Sequence, residues 1–194
     1  MTRLILVRHA MPAIDAELPT KDWPISPEGR AAARRMAEKL AAFVPACVIS
    51  STEPKAADTG RIVAERLAAP IAFDGDLVEH RRETVAFLPR AEVEAAIEAL
   101  FRRPDELVYG EENADQAHAR FAGAVERHRA AHPNEALVVA SHGTVISLWV
   151  WDRSRASVAQ PDLALRRRDG RGRAELRDHH GGRLTDRLPA PCGV

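Results

Sequence analysis

The sequence has few cysteines and no long apolar run. Its 194 residues include two cysteines, Cys47 and Cys192, which are too few and too far apart for a disulfide framework. No apolar stretch approaches the roughly 18 residues that a membrane-spanning helix needs. The basic and apolar segments of a signal peptide are also missing after Met1. We therefore expect a cytoplasmic protein with no membrane partner.

An excess of charge of either sign is absent as well. Lysine and arginine together number 28, and aspartate and glutamate together also number 28. No long-range field therefore draws the chain to nucleic acid. Arginines cluster near the C-terminus without the interleaved aromatic residues that would stack on bases: Arg166, Arg167, Arg168, Arg171 and Arg173. We expect no nucleic-acid partner.

Apolar runs alternate with segments of helical periodicity. Short runs at 3–7, 46–50, 71–73 and 136–141 read as strands buried on both faces. Helical patterns follow over 27–43, 55–69, 91–103, 113–132 and from 143 onward, the first with Ser26 as a predicted N-cap and Pro27 at its first position. This order predicts an α/β fold, a three-layer αβα sandwich around a mainly parallel sheet.

The chain has no Pro/Gly/Ser-rich linker that would divide it into domains. We expect a single domain over residues 1–194, with its core at about 3–150. Residues 153–194 are rich in arginine and glycine and show little apolar periodicity. They are predicted to form a peripheral C-terminal segment.

Polar residues follow the predicted strands at the point where each strand ends. Arg8 and His9 end the first strand, Ser141 and His142 end the last, and Lys55 lies just beyond the second. Ligands bind outside the carboxyl ends of the strands in open α/β sheets. The sequence therefore predicts a pocket with two imidazoles and two cations.

Such a pocket suits a phosphoryl group. Arg8 offers a bidentate fork to phosphate oxygens, Lys55 offers a point charge, and the helix start at Gly143 can present backbone N–H groups. A neutral His9 can attack phosphorus and carry the phosphoryl group covalently. Glu79, in a polar loop, is the candidate general acid for the leaving oxygen and then the base for water.

Four motifs together resemble a known family. The strings "LILVRHA", "ISSTEPKAADTG", "DLVEH" and "VVASHG" are similar in order and spacing to those of the histidine phosphatase superfamily, the phosphoglycerate mutase-like group. The resemblance implies the phosphoglycerate mutase-like fold, with His9 as the phosphorylated nucleophile and no cofactor. It also implies that Arg8 and His142 bind phosphate and stabilise the transition state, and that Glu79 donates the proton.

The chain departs from the family pattern at three places. Ala10 stands where a glycine is usual, and the loop at 11–26 lacks the Asn and Thr that many members use on phosphate. Lys55 stands where the family usually has an arginine, which keeps the charge and loses the bidentate fork. The extra methyl of Ala10 is small and is expected to be tolerated, whereas Lys55 and the loop favour either weak turnover or an unusual substrate.

The sequence as a whole favours a metal-independent phosphatase of small phosphate monoesters, a phosphoric monoester hydrolase of the histidine acid phosphatase type. Two alternatives stay open: a noncatalytic phosphate-binding or regulatory member of the same fold, and a protein phosphohistidine phosphatase. A metal-dependent hydrolase is disfavoured because the chain has no H-E-x-x-H motif and no closely spaced Asp/His set. The sequence does not specify the organic part of the substrate or the oligomeric state.

Overall fold

The structure, a computed structural model, describes residues 3–159, and side chains as far as residue 152. Strands and helices alternate along this part of the chain. Their bounds are β1 Leu4–Arg8, α1 Pro27–Leu40, β2 Cys47–Ser51, α2 Pro54–Leu67, β3 Ile71–Asp74, α3 Arg90–Arg102, α4 Ala114–Ala131, β4 Leu137–Ser141 and α5 Gly143–Ala159.

The strands form one parallel sheet in the order β1-β4-β2-β3. Arg8 on β1 is in register with Ser141 on β4, and Ser50 on β2 is in register with Ala140 on β4. The carboxyl ends of the three strands that carry the predicted site residues therefore lie side by side.

Helices cover both faces of this sheet. On β2, Val48 packs into one apolar cluster and the next residue, Ile49, into the other, because successive side chains point to opposite faces of a strand. The Val48 cluster includes Ala37 of α1 and Val63 of α2, and the Ile49 cluster includes residues of α3, α4 and α5, among them Leu100, Phe121 and Leu148. The predicted three-layer α/β fold is confirmed.

Local sequence signals set where the helices begin. The Ser26 hydroxyl accepts a hydrogen bond from the Gly29 N–H at 3.0 Å, which confirms Ser26 as the N-cap of α1. Gly60 brings α2 close to β2, since a Cβ at that position would lie 2.8 Å from Ser50 Oγ. That close approach fixes the start of α2, and with it Lys55, at the end of β2.

The last described helix runs past the predicted edge of the core. Residues 153–159, placed by the sequence in the peripheral segment, continue α5. The rest of that segment, 160–194, lies outside the described residues. None of the helices within residues 3–159 combines the length and the apolar character needed to cross a membrane.

Candidate active site

His9 follows β1, and hydrogen bonds hold both its backbone and its ring. Its N–H donates to Ser141 O at 2.8 Å, and its Nδ1 lies 2.8 Å from Ala10 O. A carbonyl oxygen can only accept, so Nδ1 carries the proton and Nε2 keeps a free lone pair. The Ala10 N–H in turn donates to Thr59 Oγ1 at 3.1 Å, which fixes the backbone next to His9. The ring is thus oriented with Nε2 as its nucleophilic atom.

Burial lowers the pKa of His9, and the nearby Lys55 and Arg8 cations lower it further against the opposing hydrogen bond to Ala10. The ring is therefore neutral at pH 7. A neutral imidazole is the form that can attack phosphorus.

Arg8 lies over the start of α5. A Cβ built on Gly143 would be 3.3 Å from Arg8 Nε and 3.4 Å from its Cζ, so the glycine leaves room for the guanidinium. Arg8 is exposed at the mouth of the site. Its planar donor fork can there meet two oxygens of a phosphoryl group.

His142, after β4, is fully buried beside His9. The two ring centroids are 5.2 Å apart, and His142 Nε2 lies 2.9 Å from Ser51 Oγ. Burial, with help from Lys55 and His9, lowers the pKa of His142 to about 3, although Glu79 opposes the shift. His142 is therefore neutral, and its Nδ1 is buried without a hydrogen-bond partner in the part of the chain that the structure describes.

Lys55 lies in the first turn of α2 and is buried, with 6% of its surface exposed. Its Nζ donates to Thr20 O at 2.6 Å and to Glu53 Oε2 at 2.6 Å. The cation expected from the sequence is present, and it is already paired with a carboxylate.

Glu79 caps the start of α5. Its carboxylate accepts hydrogen bonds from the N–H groups of His80 at 2.9 Å, Thr144 at 3.2 Å and Val145 at 3.3 Å. The helix start at Gly143 was expected to present its N–H groups to phosphate, and two of them are bound to Glu79 instead. The start of α5 therefore has fewer free backbone N–H groups than the sequence suggested.

The charge state of Glu79 is set by opposing effects. Burial raises the pKa of Glu79, but His142, Arg82 and the backbone N–H donors outweigh burial and lower it to about 2. Because His142 is neutral at pH 7, it carries no charge that would stabilise the Glu79 carboxylate at that pH. The Arg82 charge and the N–H donors are the groups that stabilise the carboxylate there. Glu79 is therefore ionised in the free pocket.

Two depressed carboxyl pKa values predict a loss of stability in acid. Hydrogen bonding from His128 lowers the pKa of Asp74 to about 2 from 3.8, and the pKa of Glu79 is also about 2. Such groups stabilise the fold above their unfolded pKa values and cease to do so as pH falls through about 2. We expect the free energy of unfolding to drop between pH 5 and pH 2, by about 2 kcal/mol from Asp74 alone.

Urea unfolding at a series of pH values measures this drop. Asp74→Asn should be less stable than the wild type at pH 7, with a flatter pH dependence, while Glu65→Gln on the exposed face of α2 should follow the wild type. A wild-type curve that is flat between pH 5 and pH 2 would contradict the prediction.

Sequence reasoning missed two charged residues at the site, Glu53 and Arg82. Glu53 is the N-cap residue of α2, and its carboxylate lies 3.6 Å from His142 Nε2. Arg82 lies in the loop after Glu79, with its Cζ 5.8 Å from the Tyr109 ring centroid and its buried Nη1 unpartnered among the described residues. The position of Glu53 directly after a predicted strand end is the one signal that could have identified it.

The titratable side chains do not form a metal-binding group within residues 3–159. No three His, Cys, Asp or Glu side chains there come close enough together to hold a metal ion. His80, next to Glu79, has its Nε2 2.7 Å from Glu112 O, and its ring stacks on Tyr109. These two contacts hold the His80 ring against Glu112 and Tyr109.

Solved structures share this fold across most of the chain. The mycobacterial glucosyl-3-phosphoglycerate phosphatase in complex with VO3 is 23% identical, covers 82% of this chain and 84% of its own, and has a TM-score of 0.67. Bacillus stearothermophilus YhfR is 23% identical over 80% of this chain and 81% of its own, with a TM-score of 0.66. An Entamoeba histolytica phosphoserine phosphatase in complex with 3-phosphoglyceric acid is 18% identical over 80% and 81%, with a TM-score of 0.64. At these identities the likeness establishes the fold.

The sequence comparisons agree with the fold. No curated protein sequence matches the chain. The sequence profile of the histidine phosphatase superfamily (branch 1) matches residues 4–165. This match spans most of the 194 residues, and the chain belongs to branch 1 of the histidine phosphatase superfamily.

Proposed function

We propose that the chain is a phosphatase that hydrolyses phosphate monoesters through a phosphohistidine at His9, without a metal ion. The observation that carries this proposal is the state of His9: a neutral ring whose Nδ1 is bound to Ala10 O, which leaves Nε2 free, with the Lys55 and Arg8 cations near enough to lower the pKa of the ring. An imidazole oriented in this way, facing cations, is an activated nucleophile for phosphoryl transfer.

In the first step His9 Nε2 forms a bond to phosphorus while the bond from phosphorus to the ester oxygen breaks. Arg8, Lys55 and His142 donate to the phosphoryl oxygens, where charge develops in the transition state. The leaving oxygen takes its proton from Glu79, which is ionised in the free pocket and gains that proton from the monoanionic ester once the ester is bound. In the second step water attacks the phosphohistidine, Glu79 takes a proton from that water, and phosphate leaves with His9 neutral again.

The substrate class is a small phosphorylated molecule. Two of the similar structures are named as phosphatases of glucosyl-3-phosphoglycerate and of phosphoserine, and both of these substrates are phosphate monoesters. The presence of a carboxyl group at Glu79 favours an ester over a protein phosphohistidine, because an alkoxide needs protonation more than an imidazole does. A cytoplasmic location stays a prediction from the sequence.

A noncatalytic phosphate-binding protein is the second candidate, and two observations favour it. The charge of Lys55 is compensated by Glu53, and two N–H groups at the start of α5 are taken by Glu79. Both features weaken the field that a transition state would meet. The balance still favours turnover, since Arg8 and His9 are oriented for it.

Hydrolysis of p-nitrophenyl phosphate in excess EDTA tests the proposal. We expect release of p-nitrophenolate at the same rate with and without EDTA, because every proposed step uses side chains of the chain itself. Inhibition by EDTA that a divalent cation reverses would contradict metal independence. A folded protein that releases no product, yet is stabilised against heat by phosphate, would favour the noncatalytic candidate.

A further inference from the structure

Glu53 contacts the residues around it through both carboxylate oxygens. Oε2 accepts from Lys55 Nζ at 2.6 Å, and Oε1 accepts from the Glu79 N–H at 2.7 Å and lies 3.6 Å from His142 Nε2. The Glu53 side chain is 11% exposed. One buried carboxylate thus touches three of the residues to which the proposed function assigns a role.

The contact with Lys55 determines what that ammonium can do. An ammonium has three N–H groups, and Thr20 O and Glu53 Oε2 occupy two of them, so the third can donate to a phosphoryl oxygen. A lysine on its own is a flexible point charge, whereas an arginine brings a planar fork. Two fixed acceptors restrict the ammonium to one orientation, which recovers part of the directionality that an arginine would have.

The contact with Glu79 fixes a backbone rather than a side chain. With its N–H held by Glu53 Oε1, the Glu79 peptide cannot rotate freely, and the Glu79 carboxylate stays against the N–H groups of Thr144 and Val145. The backbone N–H of Glu53 also donates to Ser51 Oγ at 3.2 Å, and that oxygen lies 2.9 Å from His142 Nε2. Glu53 therefore links the starts of α2 and α5.

We propose that Glu53 is the positioning residue of this site. It makes Lys55 a directed phosphoryl donor and holds Glu79 in place for proton transfer, without itself touching the substrate. The pair of Glu53 and Lys55 does the work for which the family pattern uses a single arginine. This inference rests on the proposed function, because it assigns roles within the same pocket.

A double-mutant cycle on kcat/KM for p-nitrophenyl phosphate tests the inference. We expect Lys55→Met to lower kcat/KM by about 100-fold, as the loss of one transition-state donor does. Glu53→Gln, which keeps the shape and removes the charge, should lower it by about 10- to 100-fold. Because p-nitrophenolate leaves without a proton from Glu79, the contact of Glu53 with Glu79 contributes little for this substrate. If Glu53 acts through Lys55, the double variant should therefore be within about threefold of Lys55→Met alone. Glu65→Gln, an exposed carboxylate on the same helix, is the control and should match the wild type.

The non-additivity separates positioning from a general structural role. Glu53→Gln leaves the buried Lys55 ammonium without its charged partner and can lower the melting temperature. The double variant removes both charges, so it contains no unpaired buried ammonium, and its kcat/KM still completes the cycle. Losses that multiply in the double variant, or a Glu53→Gln enzyme with wild-type kcat/KM, would overturn the inference.

Vanadate affinity, measured by titration calorimetry, tests the positioning role of Glu53 without requiring turnover. A failure of the proposed function can thereby be distinguished from a failure of this inference. If the wild type lacks turnover, the proposed function fails, and the same cycle is run on vanadate dissociation constants. Glu53→Gln should then weaken vanadate binding in the wild-type background and have little effect in the Lys55→Met background. Equal effects of Glu53→Gln in both backgrounds would overturn the positioning role.

Discussion

Replacing His9 by alanine is expected to lower kcat for p-nitrophenyl phosphate by about 10⁴-fold or more, the scale on which loss of a nucleophile acts. In the proposed mechanism Nε2 of His9 is the atom that forms the bond to phosphorus, and a water molecule in its place would lack that activation. Arg8, Lys55 and His142 stay in place, so the variant should still bind vanadate. The expected signature is therefore a loss of turnover with retained anion binding.

Trapping the intermediate gives the direct measurement for this prediction. Wild-type enzyme mixed with a radiolabelled phosphate ester and quenched in alkali should carry label with the lability of phosphohistidine, which alkali preserves and acid hydrolyses. His118→Ala is the matched control, because His118 lies on α4 and pairs at 3.7 Å with Asp152. It should keep both turnover and label. Turnover in His9→Ala near the wild-type level, or label retained in that variant, would contradict a covalent step at His9.

The location of His9, the proposed nucleophile, at the end of β1 could be predicted from the sequence because it depends on a local pattern. An apolar run that ends on Arg8 and His9, and another that ends on Ser141 and His142, define strand ends by themselves. Parallel pairing then brings those ends together with no further information. The same reasoning identified the fold class, since periodicity and helix caps are local features.

The charge balance of the pocket could not be predicted in this way. Glu53 has the sequence context of an ordinary acidic residue at a helix start, and Arg82 that of an ordinary loop cation. Their effect depends on distances across the fold: Glu53 meets Lys55 because of the first turn of α2, and it meets the Glu79 backbone only because β2 and the loop after β3 end together. No spacing rule within the chain encodes that second contact.

The end of the core was also harder to predict than its center. Residues 153–159 have little apolar periodicity, which placed them outside the core, yet they contain no proline or glycine that would stop a helix. Backbone hydrogen bonding continues α5 to Ala159 in the absence of such a stop. The periodicity of apolar residues indicates which face of a helix is buried, but a helix can continue past its last buried residue.

The leaving oxygen needs a proton, and the low pKa of Glu79 limits where that proton can come from. With a pKa of about 2, Glu79 is ionised at neutral pH and holds no proton to give. A phosphate monoester has its second pKa near 6, so part of the substrate arrives as the monoanion with a proton of its own. A dianionic phosphoryl group beside Glu79 would also raise the pKa of that carboxyl. The monoanionic ester supplies a proton, and the raised pKa lets Glu79 hold a proton taken from the ester or from water; both effects arise only once the substrate is bound.

Glu79→Gln should therefore slow the hydrolysis of alkyl phosphates by about 10²- to 10³-fold and that of p-nitrophenyl phosphate far less. An alkoxide needs protonation as it departs, whereas p-nitrophenolate leaves without help. The glutamine amide keeps one acceptor oxygen and replaces the other with an NH2 group, which then lies against the N–H of Thr144 or against the N–H groups of His80 and Val145, so the melting temperature should fall. That structural cost affects both substrate classes alike, which is why the ratio of the two rates, and not either rate alone, reports on proton transfer. Equal slowing of alkyl and aryl substrates would mean that Glu79 serves to hold the start of α5 and that the leaving oxygen takes its proton from another group.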